Sequence, residues 1–140
     1  MAFDGAVVWL DADVGQAAPV KLLFDTGSAA ADLLIPRRKD WLALVKLDNE
    51  NQANSTITQS WKQDIVCYYA PLQQVVKVGA IEFGKETNAS FCTRNGVEQF
   101  ADRSEFGVIG LAPFKDKAIT IDYVAHRLYL EAPEPAEPRP

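Results

Sequence analysis

The sequence is poor in His and Cys, the usual ligands of structural zinc. Among its 140 residues it has one His and two Cys, Cys67 and Cys92. A structural zinc site takes four nitrogen or sulfur ligands at close spacing, which this chain does not offer. We therefore expect no zinc site. The spacing of the two Cys leaves open whether they are joined by a disulfide.

Positive charge and long apolar runs are also scarce. The chain has 14 Lys and Arg against 19 Asp and Glu, a net charge of -5, and its one basic cluster is Arg37-Arg38-Lys39. A nucleic-acid partner is not expected from this balance. No apolar run approaches the roughly 18 residues that span a bilayer, and Met1 to Gly5 lacks the basic region of a signal peptide. We expect a soluble chain with no membrane partner. An excised domain would look the same, so the compartment stays open.

The length and composition are those of one folded domain. With 48% hydrophobic residues the chain can bury a core, and 140 residues is near the usual domain size. We place a single domain over residues 1–130. Residues 131–140, rich in Pro and Glu, predict a disordered tail.

Segments rich in β-branched and aromatic residues alternate with turn residues along the chain. This pattern predicts an all-β fold, mostly antiparallel, with one short helix. The predicted elements are a hairpin from 6–10 and 19–24, a strand at 33–35 stopped by Pro36, a short helix within 37–47, a surface loop or exposed hairpin over 48–60, strands within 65–70, 74–84 and 90–93, and a last hairpin from 118–124 and 127–130.

A short acidic turn follows the apolar strand that ends at Phe24. Its residues are Asp25-Thr26-Gly27-Ser28. Thr26 can hydrogen-bond the local backbone, Gly27 permits the close approach of another segment, and Ser28 can donate its hydroxyl to the carboxylate. Such a turn holds Asp25 in place. An ordinary Asx-type turn after an edge strand would use the same residues.

A second motif, Val108-Ile109-Gly110-Leu111, lies 83 residues further on, counted from Gly27 to Gly110. Together the two motifs and their apolar flanks resemble the active-site strand and loop of the pepsin and retropepsin aspartic proteases. In that family an apolar-apolar-Gly strand passes beside the Asp turn, where any Cβ would strike the Asp-bearing segment. The resemblance implies a retropepsin-like closed β-barrel, the acid protease fold. The ending Ile121-Asp122-Tyr123 with Arg127 to Leu130 looks like the single-lobe members.

The resemblance also implies a function, that of an aspartic endopeptidase acting on peptides or proteins. Asp25 would be catalytic, supported by Thr26, Gly27, Ser28 and Gly110, and no metal and no cofactor would be required. The chemistry needs two carboxylates that share a proton, whereas the chain has one Asp-Thr-Gly. We therefore expect a homodimer with Asp25 of both copies at one site. Activity should follow a bell-shaped profile with its optimum at roughly pH 3 to 6.

The region between the two motifs is where the family carries its flap, the hairpin that covers bound peptide. Pepsin-like flaps have a Tyr in a Gly-rich tip, and neither occurs here. Trp61 is the nearest aromatic residue and the candidate for substrate contact, although a Trp half-buried on the sheet would look the same. Two other interpretations stay open. One is a non-catalytic retropepsin-like module for dimerisation or peptide binding, and the other is an unrelated β-sandwich or barrel in which the Asp25 turn is structural.

Overall fold

The computed structural model describes residues 2–4, 7–26, 32–60, 62–99, 104–125 and 127–131. These residues form thirteen strands, one α-helix and two short 3₁₀ turns. The strands are β1 Ala2–Asp4, β2 Val7–Ala12, β3 Val20–Phe24, β4 Leu33–Leu34, β5 Asn54–Ser60, β6 Gln63–Pro71, β7 Val76–Val78, β8 Ile81–Phe83, β9 Asn88–Arg94, β10 Val97–Glu98, β11 Gly107–Ile109, β12 Ala118–Asp122 and β13 Arg127–Glu131; the helix α1 is Arg38–Val45, and the 3₁₀ turns are Glu50–Gln52 and Ala112–Phe114. The all-β prediction is confirmed.

The first predicted hairpin is formed by β2 and β3, which pair antiparallel from Val8 with Phe24 to Ala12 with Val20. Alternate residues of β2 are buried, as expected of a strand with one face on the core. Leu22 and Phe24 of β3 are buried on the same side of the chain. Residue 25 therefore follows directly after the end of a strand that is packed against the core.

The main sheet has the strand order β1-β2-β3-β11-β4-β9-β6-β5, with β10 paired to β9. The pairs β3–β11 and β4–β9 are parallel, and the other described pairs are antiparallel. The mostly antiparallel arrangement is thus confirmed. The closed barrel is not: among the described strands β1 and β5 end the sheet without pairing to each other, so the sheet is open.

Residues 54–71 form a long two-stranded hairpin in which Ser60 pairs with Gln63. Of the two structures proposed for the polar segment, the hairpin is the one found, preceded by the 3₁₀ turn. Its second strand, β6, continues into the sheet beside β9, and there Cys67 and Cys92 lie opposite each other and form a disulfide. The pairing that the sequence left open is therefore present.

Helix α1 lies where the short helix was predicted and packs against β9. Trp41 is fully buried, its indole N–H donates to the carbonyl of Ala89 at 2.8 Å, and its ring stacks on Phe91 with 5.6 Å between centroids. Leu44 and Val45 are buried on the same helix. The helix therefore covers the strand that lies between β4 and β6.

The last hairpin pairs β12 with β13, and Ile119, Ile121 and Leu128 pack against the core. Glu131 still pairs with Ala118, so the strand includes one residue that we had assigned to the tail. Residues 132–140 lie outside the described part. No helix in the described part is long and apolar enough to cross a membrane.

Candidate active site

Asp25 is the first residue after β3 and has an exposed side chain. Its backbone N–H donates to the carbonyl of Ile109 at 3.0 Å, which continues the parallel pairing of Phe24 with Ile109 by one step. The backbone of Asp25 is therefore held by the second motif while its carboxylate faces outward. The pairing with β11 thus fixes the point at which the Asp25 side chain leaves the sheet.

Strand β11 lies between β3 and β4, the two strands that flank the Asp25 loop. It pairs parallel with β3 and antiparallel with β4. Directly after β11, the N–H of Gly110 donates to the carbonyl of Asp32 at 3.1 Å. The loop thus leaves the sheet on one side of Ile109-Gly110 and returns on the other. The prediction that the second motif passes beside the Asp25 turn is confirmed.

Gly107 is a crowded glycine in this arrangement that sequence reasoning missed. A Cβ built on Gly107 would lie 2.9 Å from the carbonyl oxygen of Leu34 and 2.8 Å from Cδ1 of Ile35. Real Cβ atoms do not approach backbone oxygens so closely, so a larger residue would have to push β11 and β4 apart. The sequence signal was present, because β11 begins at Gly107 and is followed directly by Gly110. We had assigned the steric role to Gly110, which is buried, and that assignment stays a prediction.

Asp32 closes the loop opposite Asp25 and is another residue that sequence reasoning did not single out. Its Oδ2 accepts a hydrogen bond from the N–H of Asn88 at 2.8 Å, at the start of β9. The backbone carbonyl of Asp32 accepts the hydrogen bond from the Gly110 N–H described above. Asp32 therefore ties the returning end of the loop to two neighbouring strands.

Aromatic packing supports β3 just before the loop. The ring of Phe114 contacts Phe24 and Phe83 edge to face, with centroid distances of 5.7 and 5.3 Å. All three side chains are buried. This cluster fixes the end of β3 from the core side and so limits the movement of Asp25.

The other predicted site residues divide into two groups. Thr26 is described and lies exposed in the turn after Asp25. Gly27, Ser28 and Trp61 lie outside the described residues. In sequence Trp61 lies between Ser60 and Gln63, which pair with each other. The roles assigned to all of these residues stay predictions.

A cavity of about 390 Å³ lies on the Asp32 side of the loop, between the β7–β8 hairpin and the 3₁₀ turn that follows the second motif. Its lining includes Asp32, Glu86 and Asp116 together with Lys115 and Lys117. The backbone N–H groups of Gly84 and of Glu86 itself donate to the Glu86 carboxylate and lower its pKa. Charges of both signs line the cavity, so it indicates no single class of ligand. Within the described residues no cluster of His, Cys, Asp and Glu could hold a metal ion.

Comparisons of the chain with models of protein families, with curated proteins and with solved structures gave no match. The aspartic-protease interpretation therefore depends on the motifs and on the arrangement of β3, β11 and β4.

Proposed function

We propose that the chain is an aspartic endopeptidase of the retropepsin-like type, with a catalytic site completed by a second copy. The observation that carries the proposal is the position of β11 between β3 and β4, with Asp25 N–H bonded to Ile109. Two sequence motifs far apart in the chain meet at this point. An Asx turn with a purely structural role would not require a second motif to pair with the strand that leads into it.

The proposed chemistry uses two Asp25 carboxylates around one water molecule. The ionised carboxylate takes a proton from the water as the water attacks the peptide carbonyl, and the protonated carboxylate donates to the carbonyl oxygen. Asp32 does not stand in a second Asp-Thr-Gly turn, because Leu33 and Leu34 follow it, and its Oδ2 is directed to the N–H of Asn88 at the start of β9. The second carboxylate must then come from Asp25 of another copy, related by a two-fold axis.

The β5–β6 hairpin is the element proposed to cover a bound peptide. It lies between the two motifs in sequence, as the flap does in the family that the chain resembles. Its outer strand is exposed from Asn54 to Gln59, and Gln63 and Asp64 of β6 are exposed as well. An extended peptide held beneath such a hairpin would lie against the face of its two strands, which leaves the free edge of β5 unoccupied.

The test is peptide hydrolysis by the Asp25→Asn variant. The amide has the shape of the carboxylate but neither takes nor releases a proton, so we expect a fall in activity of at least about 100-fold with unchanged thermal unfolding. Mixed unstructured peptides, incubated at roughly pH 3 to 6 and analysed by mass spectrometry, serve as substrates because the cleavage preference is unknown.

The matched control is Asp48→Asn, which removes the same charge from an exposed position outside the loop. It should cleave like the wild type. Equal activity of Asp25→Asn and wild type would show that Asp25 is not the catalytic group. A wild type that binds the peptides and leaves them intact would favour the non-catalytic binding module.

A further inference from the structure

Strand β5 is an edge strand whose seven residues carry no charge. Within the described strands it pairs with β6 alone and ends the main sheet. Residues 54 to 59 are all exposed. It has no Pro to block pairing, and Thr56, Ile57 and Thr58 at its centre are β-branched. An exposed edge of this kind is a template for another strand.

The hydrogen bonds of the inner strands determine which backbone groups of β5 face outward. At the end of β6 the N–H of Leu72 donates to the carbonyl of Thr87, so the even-numbered residues of β6 direct their backbone groups toward β9. Cys67 and Cys92, with Cα atoms 4.1 Å apart, form a non-hydrogen-bonded pair in agreement with this alternation.

The backbone groups of Cys67 therefore point the other way, toward Thr56, with which it pairs. Since backbone groups alternate in direction along a strand, those of the neighbours of Thr56 point away from β6. Three residues of β5 consequently present their N–H and C=O groups at the free edge: Ser55, Ile57 and Gln59.

We infer that β5 pairs with β5 of a second copy, antiparallel, about a two-fold axis at Ile57. Ile57 is the central residue of the strand, so this register pairs all seven residues. At the axis Ile57 would exchange two hydrogen bonds with Ile57 of the second copy. On each side Ser55 would do the same with Gln59 of the other copy. Each of the outward-facing groups then has a partner.

The side chains fit the same register. Ile57 is 69% exposed, and across the hairpin it pairs with Val66. The two-fold axis would join these pairs into one apolar stripe of four side chains, with an Ile57 from each copy at its centre. On the other face Thr56 would lie opposite Thr58 of the second copy, a favourable cross-strand pair.

The absence of charge favours a second copy over an unrelated partner. The whole chain carries a net charge of -5, so two copies repel over most of their surface. Strand β5 is a place where they can meet without like charges directly opposite each other. The residues on the two sides of Ile57 are all uncharged and polar, with a Thr next to it on each side, so self-pairing about Ile57 places similar side chains opposite each other.

The register is tested by disulfide trapping in the otherwise native chain. In Ile57→Cys the new thiols would lie opposite each other, within the Cα distance that a disulfide can bridge. In the control Gln59→Cys, residue 59 of one copy would lie opposite residue 55 of the other. The two new thiols would then be four residues, or about 13 Å, apart. We expect Ile57→Cys to give a covalent dimer on non-reducing electrophoresis and Gln59→Cys to stay monomeric. The double variant Ser55→Cys/Gln59→Cys should restore the covalent dimer. Equal trapping of the two single variants would overturn the register.

Association itself is tested by sedimentation of Ile57→Lys, which would place two ammonium groups at the axis. We expect its mass to fall below that of the wild type, to the monomer or to a smaller oligomer, at concentrations where the wild type associates. Val97→Lys is the control, because Val97 is equally exposed at 68% and lies on β10. It should sediment like the wild type. An unchanged mass for Ile57→Lys overturns the inference, as does an edge that binds extended peptides while the chain stays monomeric.

Discussion

Asp25 and Asp32 lie at the two ends of one loop and differ in exposure. The side chain of Asp25 is exposed, whereas Asp32 is partly buried and engaged by backbone donors through both its carboxylate and its carbonyl. The backbone N–H of Asn88 donates to the Asp32 carboxylate, and this hydrogen bond fixes the position of the side chain. Asp32 therefore holds the returning end of the loop, whereas the catalytic role that we propose for Asp25 is tested by the Asp25→Asn variant.

Gly107→Ala should reduce stability and activity together. The added Cβ would meet the backbone of Leu34 at 2.9 Å, and overpacking of this kind costs about 1 to 3 kcal/mol in the free energy of unfolding. Because β11 borders both β3 and β4, the shift would also move the backbone that holds Asp25. Urea unfolding and peptide hydrolysis measure the two effects on one preparation.

The control for this substitution is Gly84→Ala. There the new Cβ meets only Oε2 of Glu86, at 3.2 Å, and the exposed Glu86 side chain can turn aside. We expect a change within about 0.5 kcal/mol and normal hydrolysis. A Gly107→Ala variant as stable as Gly84→Ala would mean that β11 and β4 are not as close as described.

At the scale of elements, the β5–β6 hairpin is joined to the sheet by β9. The two strands pair from Ile65 with Arg94 to Pro71 with Asn88, and the disulfide lies within this ladder. Strand β9 in turn pairs with β4 next to the candidate site. The bridge thus links the proposed cover of the site to the strand beside its loop.

Removing the bridge with Cys67→Ala/Cys92→Ala should destabilise the fold. The bridge closes a loop with a sequence separation of 25, and the chain-entropy model gives about 3.5 kcal/mol for a loop of this size. Typical measured values are about 2 to 4 kcal/mol, a large part of the stability of an ordinary domain. Urea unfolding of the two proteins without reductant measures the difference.

Reductant provides the internal control. It should lower the unfolding midpoint of the wild type toward that of the double variant and leave the double variant unchanged. A wild type that is indifferent to reductant would contradict the bridge between β6 and β9.

Across the whole molecule, local sequence patterns predicted the individual strands and the helix better than they predicted which strands lie side by side. Two β-branched and aromatic runs around a turn located the β2–β3 hairpin. The spacing of Trp41, Leu42, Leu44 and Val45 located the helix, because this signal too lies within a few residues. The Cys67–Cys92 bridge depends on β6 and β9 being adjacent and in register, which no local pattern specifies. The open sheet differs from the expected barrel for the same reason, since closure depends on which distant strands pair.

In the candidate site, too, local sequence patterns did not reveal the contacts between distant segments. The meeting of Asp25 with Ile109 was predicted because two motifs resembled one family. The clash at Gly107 and the anchoring by Asp32 depend on the distances to Leu34 and Asn88 after folding. Residues that act through distant backbone contacts have no signature of their own in a single sequence.

A site shared between two copies makes a prediction about mixtures that a site within one chain does not. If wild type and Asp25→Asn chains are unfolded and refolded together in equal amounts, random pairing puts about half of the wild-type chains in mixed dimers with one Asp25. Hydrolysis per wild-type chain should then fall to about half, and to about a tenth with a tenfold excess of the variant. Simple mixing just before the assay is the control, because competition for substrate acts at once whereas exchange of chains needs time. If refolding the two proteins together leaves the hydrolysis per wild-type chain unchanged, each chain carries its own complete site, and the second carboxylate has to be sought within the same copy.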